Sequence, residues 1–139
     1  MARVLGVDLG ARRIGLAATD ETQTLASPLS MLERSGDQAR DHRAIIEKAR
    51  DIGAERIVVG LPISLSGREG PAAKSVRAEV EDLRAISEPE IAVCVHDERF
   101  TTSTAERSLR EAGTRARSRR QKIDSAAAAV MLQSWLEGA

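Results

Sequence analysis

The chain is 139 residues long, the size of one domain, and its 42% apolar and 30% charged residues are the balance of a water-soluble globule. Lys plus Arg and Asp plus Glu both total 21, so bulk charge makes no case for a nucleic-acid partner, and any such case must rest on where the cations sit. A single cysteine, Cys94, excludes an internal disulfide and agrees with a reducing, cytoplasmic setting; the N-terminus lacks the apolar stretch of a signal peptide, and no apolar run approaches the roughly 18 residues of a membrane span.

In chain order, Arg3 to Val7 is a short apolar run that ends in Asp8 and Gly10, a strand and a turn. Ile14 to Thr19 reads as a second strand, joined to the first through Ala11, Arg12 and Arg13 as a hairpin. A third strand falls near Ser27 to Leu32. Gly36-Asp37 opens a helical pattern with Ile45, Ile46, Ala49 and Ile52 on one face, and Gly53 suits its left-handed C-terminal position. Arg56 to Val59 is a buried-type strand ended by Gly60-Leu61-Pro62. A polar loop with Ser64, Ser66, Gly67 and Gly70 leads to Pro71, well placed at the first position of a helix that carries Ala73, Val76, Val80 and Leu83 and stops before Pro89. Ile91 to Val95 is the next strand. Ser103 to Glu106 is a capping box for a helix closed by Gly113; residues 114 to 122 read as a basic linker, and Asp124 to Leu136 as the last helix. The order β-β-β-α-β-α-β-α-α predicts one α/β domain over 1–139, with a mostly parallel sheet that has an antiparallel edge.

Three acids stand where apolar residues would be cheaper. Asp8 ends an apolar strand, and Glu98 follows the end of another; ligands of open α/β sheets bind beyond the carboxyl ends of strands. Asp124 shares helical spacing with Ala127, Ala128, Met131 and Trp135, the stripe that should pack on the sheet. Three carboxylates drawn together repel unless a cation lies among them, and hard oxygen ligands select Mg²⁺ or Mn²⁺. Such a layout suits two-metal phosphoryl chemistry. Each acid also has a plainer reading: Asp8 as a turn residue, Glu98 as a partner of Arg99 or another base, Asp124 as a helix N-cap.

Arg115, Arg117, Arg119, Arg120 and Lys122 crowd in just before Asp124, which suits a phosphate-binding loop at the mouth of a site. Arg12 in the first hairpin and Arg99 beside Glu98 offer further phosphate contacts. The Gly67 to Pro71 segment leads into a helix N-terminus, a natural anion site. His96, Cys94 and Trp135 read as structural. With Trp135 and Phe100 as the only aromatics, recognition of backbone and shape is expected rather than base stacking.

Taken together, Gly6-Val7-Asp8-Leu9-Gly10 with Ile14-Gly15, Ile57 to Pro62 with Gly67, Asp97-Glu98-Arg99 with Thr101-Thr102, and Ile123 to Ala128 resemble the YqgF family across essentially the whole chain. Its members are described as nucleases of pre-16S ribosomal RNA and also as Holliday junction resolvases. The resemblance implies a ribonuclease-H-like fold, a five-stranded mixed sheet with helices on both faces. It also implies that Asp8, Glu98 and Asp124, rather than Asp97, are the acidic trio, holding two Mg²⁺ or Mn²⁺ ions with Asp8 as the bridge. Ser64 and Ser66 depart from the Asn and Asp-like residues common in the family's loop before Gly67. The expected activity is metal-dependent hydrolysis of phosphodiester bonds in 5′-end processing of pre-16S ribosomal RNA. Branched DNA is the alternative substrate, and a nucleic-acid-binding assembly factor without turnover is the alternative role; the protein is expected to act as a monomer or homodimer on structured RNA, with no membrane partner. Asp8-Leu9-Gly10 also resembles the first phosphate motif of actin-like ATPases, but those need two such domains.

Overall fold

Runs of β-branched and aliphatic residues form four of the five strands, β1 (Arg3–Leu9), β2 (Arg13–Thr19), β4 (Ala54–Leu61) and β5 (Ala92–Asp97), while the more polar β3 (Ala26–Glu33) is an edge strand that tolerates Pro28. The amphipathic stretches form α1 (Gln38–Asp51), α2 (Pro71–Ser87) and α3 (Ala116–Gly138). The structure, a computed structural model, describes residues 2–62, 69–97 and 116–138, with side chains of the last stretch described from residue 126 onward. The expected helix between Ser103 and Gly113 and the loop with Ser64, Ser66 and Gly67 lie outside the described residues.

The strands form one sheet in the order β3-β2-β1-β4-β5. β1 pairs antiparallel with β2, and β2 with β3, whereas β1–β4 and β4–β5 are parallel. This is the mixed, five-stranded sheet that the family resemblance implies; the element order alone predicts a mostly parallel sheet, whereas two of the four pairings are antiparallel because both early links are hairpins. Side chains alternate along each strand, which sorts them to two faces. Leu5, Val7 and Leu9 of β1 with Ile57, Val59 and Leu61 of β4 meet Ile45 and Ala49 of α1 and Val76, Val80 and Leu83 of α2 in one core. Val4, Ala17 and Val58 face the other way, onto Ala128, Ala129, Met131 and Leu132 of α3. Helices therefore cover both faces.

Local chemistry closes the elements where expected. The Asp37 side chain caps α1 by accepting from the Arg40 amide at 3.2 Å, Lys48 and Arg50 occupy its last turn, and Gly53 follows at φ 71°. Gly70 precedes α2 without a side-chain cap, and Pro71 takes the first helical position. At the start of β1 the register shifts between Arg3 and Val4, and the buried Thr19 hydroxyl accepts from the Val4 amide at 2.9 Å in place of a ladder bond. Replacing Thr19 by valine keeps the shape and orphans that amide, an expected loss of about 1–3 kcal/mol in urea unfolding.

The last helix departs from expectation. The stretch read as a basic linker is helical from Ala116, so Arg117, Arg119, Arg120 and Lys122 lie on α3. Arg, Lys and Gln are strong helix formers, and no Gly or Pro interrupts residues 116 to 137. Apolar periodicity is blind to such a stretch, because Arg117 to Lys122 contains no apolar residue to register.

Candidate active site

Asp8 lies one residue before the end of β1, paired in the ladder with Gly15 and half-buried. Alternation puts it on the face of Val4 and Gly6, the α3 face. That face is built for close approach. A Cβ added at Gly6 would lie 2.9 Å from Cβ of Leu132, so α3 sits directly on the backbone of β1. Beyond Asp8 the chain turns tightly: the Gly10 amide donates to Arg13 O at 2.9 Å and Asp8 O at 3.2 Å, and a Cβ at Gly10 would meet Arg13 O at 2.6 Å.

Asp124 lies within α3, well past its first turn, which excludes the N-cap reading. Its helical position falls on the row of Ala127, Ala128 and Met131, all buried; its side chain is outside the described residues. Positions 117 and 120 share that row, while 119 and 122 fall on the opposite side of the helix. Glu98, Arg99 and Arg115 lie outside the described residues, but Glu98 directly follows Asp97, where β5 ends. Because β1, β4 and β5 are parallel, the carboxyl ends of β1 and β5 share one sheet edge, with Asp97 paired to Leu61 and Val7 to Val59. Two strand spacings, about 10 Å, separate those backbones. Among the described residues, no group of three or more His, Cys, Asp or Glu is placed to hold a metal ion.

The remaining candidates resolve as follows. His96 is half-buried and bonds through Nε2 to the Ser134 hydroxyl at 3.0 Å, tying β5 to α3. Burial lowers its pKa from the ordinary value, against the opposing pull of Asp97. Cys94, expected in the core, is half-buried and packs with Trp135 against the α3 core. Arg12 is exposed at the hairpin tip, where its carbonyl accepts from the Arg34 amide at 2.9 Å. With Ala11, Arg34 and Gln38 it borders an open groove of about 470 Å³.

Sequence reasoning missed a buried ionic cluster beside this turn. Arg34, just after β3, spans Glu79 with two hydrogen bonds, Nη1 to Oε2 at 2.8 Å and Nη2 to Oε1 at 3.0 Å. Its Nε donates to Gly10 O at 2.8 Å, and His42 Nε2 lies 2.8 Å from Glu79 Oε2. Glu79 is 7% and His42 2% exposed. The signal was present: Glu79 falls on the stripe of Val76, Val80 and Leu83, and His42 on that of Ile45, Ile46 and Ala49, the same anomaly that marks Asp124.

Burial pushes the Glu79 carboxyl up, and the hydrogen bonds from Arg34 and His42 more than reverse this, leaving it below its ordinary 4.5. Folding therefore favours the ionised form. That contribution is complete above the unfolded value and is lost as pH falls through the lower folded one. Urea unfolding at stepped pH should show the parent losing stability more steeply than Glu79→Gln once pH drops below 4.5.

Among the described residues, no helix is long and apolar enough to cross a membrane. The family model of RuvX, described as Holliday junction resolvase, matches residues 2–138. A candidate pre-16S rRNA nuclease of Mycobacteroides abscessus is 42% identical over 135 residues, covering 97% of this chain and 81% of that protein. One of Rhodococcus erythropolis is 43% identical over 138 residues, covering 97% and 77%. Among solved structures, T. thermophilus RuvC in complex with Holliday junction substrate superposes with a TM-score of 0.59 at 17% identity, over 94% of this chain and 92% of that one. The Fowlpox virus resolvase with Holliday junction DNA gives 0.57 at 11% identity, over 98% and 97%. At such identities the likeness speaks for the fold alone, a ribonuclease-H-like mixed sheet. Sequence match over nearly the whole length and a shared architecture together make this chain a member of the RuvX family, the YqgF family of the sequence motifs.

Proposed function

We propose that the protein is a metal-dependent nuclease that hydrolyses phosphodiester bonds in pre-16S ribosomal RNA, working in the cytoplasm with Asp8, Glu98 and Asp124 as its acidic centre. One observation carries this reading. β1 and β5 end at the same sheet edge, and α3, the helix that contains Asp124, packs over the face to which Asp8 belongs. The family membership and the names of the relatives support the same chemistry.

The donor set fits hard divalent cations, since three carboxylates from separate elements repel one another without one. When bound, two Mg²⁺ or Mn²⁺ ions would polarise the scissile phosphate and stabilise charge on the attacking and leaving oxygens. The chain's own residues do the rest. Asp8, Glu98 and Asp124 would hold the ions, and the tight turn after Asp8 fixes its main chain. Arg12, Arg99, Arg115, Arg117, Arg119, Arg120 and Lys122 take flanking phosphates, with Arg117 and Arg120 nearest by virtue of sharing the row of Asp124. Trp135 packs against the core beneath α3, so bases have no described aromatic platform and the substrate is read by backbone and shape.

A second reading is favoured by the family's description and by the RuvC complex: resolution of branched DNA. Cutting two strands of a junction calls for a symmetric dimer, whereas trimming RNA works with a monomer. The test is cleavage of matched pre-16S RNA and four-way DNA by the purified protein in Mn²⁺, beside sedimentation. RNA products with intact junction support the first reading. Paired cuts in the junction by a dimer support the second. Salt-sensitive binding of either with no product in any divalent metal rejects both and leaves an assembly factor.

A further inference from the structure

We propose that Arg34, braced by Glu79 and His42, is a positioning residue for the Asp8 turn; this rests on the nuclease reading. The network begins on the far side of the sheet. Glu79 of α2 and His42 of α1 belong to the face opposite α3, and Arg34 carries their constraint around the carboxyl rim of β1 to Gly10 O. The Arg34 main chain grips the same turn, its amide donating to Arg12 O at 2.9 Å. The tip itself, Ala11 and Arg12, is exposed.

The geometry uses what only arginine offers. One planar guanidinium donates to the Gly10 carbonyl and to both Glu79 oxygens at once, at 2.8, 2.8 and 3.0 Å. A lysine keeps the charge and loses the fork. Glu79 is held in turn by His42, so the fork is braced from two helices. A buried ionic cluster is a poor source of net stability, since well-packed apolar residues often do as well or better. What it supplies is direction: it fixes the peptide that follows Gly10, and through the Gly10 amide on Asp8 O at 3.2 Å the main chain that carries the Asp8 carboxylate. Displacing a reacting group by about 1 Å can cost roughly a hundredfold in rate.

The test compares Arg34→Lys and Glu79→Gln with the parent and with Thr19→Val, a destabilised control remote from the turn. All are assayed where each is folded by circular dichroism, for kcat and KM on pre-16S RNA and four-way DNA and for half-saturating Mn²⁺. Arg34→Lys and Glu79→Gln should lose roughly 10- to 100-fold in kcat. Their KM for nucleic acid should stay near the parent's, and they should need more Mn²⁺. Thr19→Val should keep the parental kcat and Mn²⁺ dependence, which separates positioning from lost stability. A parent that cleaves while both folded variants match its kcat and Mn²⁺ dependence overturns this inference alone. A parent that cleaves neither substrate removes the nuclease reading and this inference with it.

Discussion

Purified Asp124→Asn protein should fold like the parent and cleave RNA or DNA in Mn²⁺ roughly a thousandfold more slowly or not at all, a barrier increase of about 4 kcal/mol. Asparagine is nearly isosteric with aspartate, and position 124 lies inside a long helix, not at its cap. The substitution therefore removes no capping bond, and thermal unfolding should move little. What it removes is a charge among three that are proposed to gather at one edge. Cleavage at the parental rate by the folded Asp124→Asn protein would defeat the assignment of the acidic centre, whatever the substrate.

The largest effect on stability is expected where α3 meets β1. Leu132 is fully buried, and its Cβ, Cγ and Cδ2 lie within 3.3 Å of where a Gly6 Cβ would stand. Leu132→Ala should cost about 2–5 kcal/mol, because the small residues around it, Gly6, Ala17 and Ala128, leave little that can collapse into the gap. Gly6→Ala should cost about 1–3 kcal/mol by overpacking, since Leu132 cannot swing away from a close-packed face. The two are coupled. In the double variant the new methyl enters space vacated by Leu132, although the Cβ at 132 remains 2.9 Å away and keeps part of the strain. Chemical denaturation of the four proteins should give a double-variant loss smaller than the sum of the single losses. Strict additivity would mean that the helix shifts as a body and that the contact at Gly6 does not set its height.

Four strands were readable because each is a short apolar run with turn residues at its ends, as with Ile57 to Leu61 before Pro62; the edge strand β3, with Ser27, Pro28 and Ser30, gives a weaker signal. The sheet's mixed character followed from hairpin links early and helical links later. The start of α3 was not readable in the same way. Arg117 to Lys122 favour a helix by backbone propensity, but periodicity registers only residues that pack. The Arg34 cluster escaped for another reason: Glu79 and His42 sit on two different stripes, and nothing in either stripe says that the two helices bring them within 2.8 Å. At the site, Asp8 was legible as an acid at a strand end. Helical spacing had placed Asp124 on the apolar row, and the structure removes its N-cap alternative.

The packing of α3 on β1, β2 and β3 also bears on the order in which the fold can be completed. Those strands come from the first quarter of the chain, and α3 follows every other described element. During translation the sheet can pair, and α1 and α2 can cover one side of it, while the other side stays open until α3 has been made. A chain made only as far as β5 would thus leave Val4, Ala17 and Val58 uncovered, an apolar face that only α3 can take out of water.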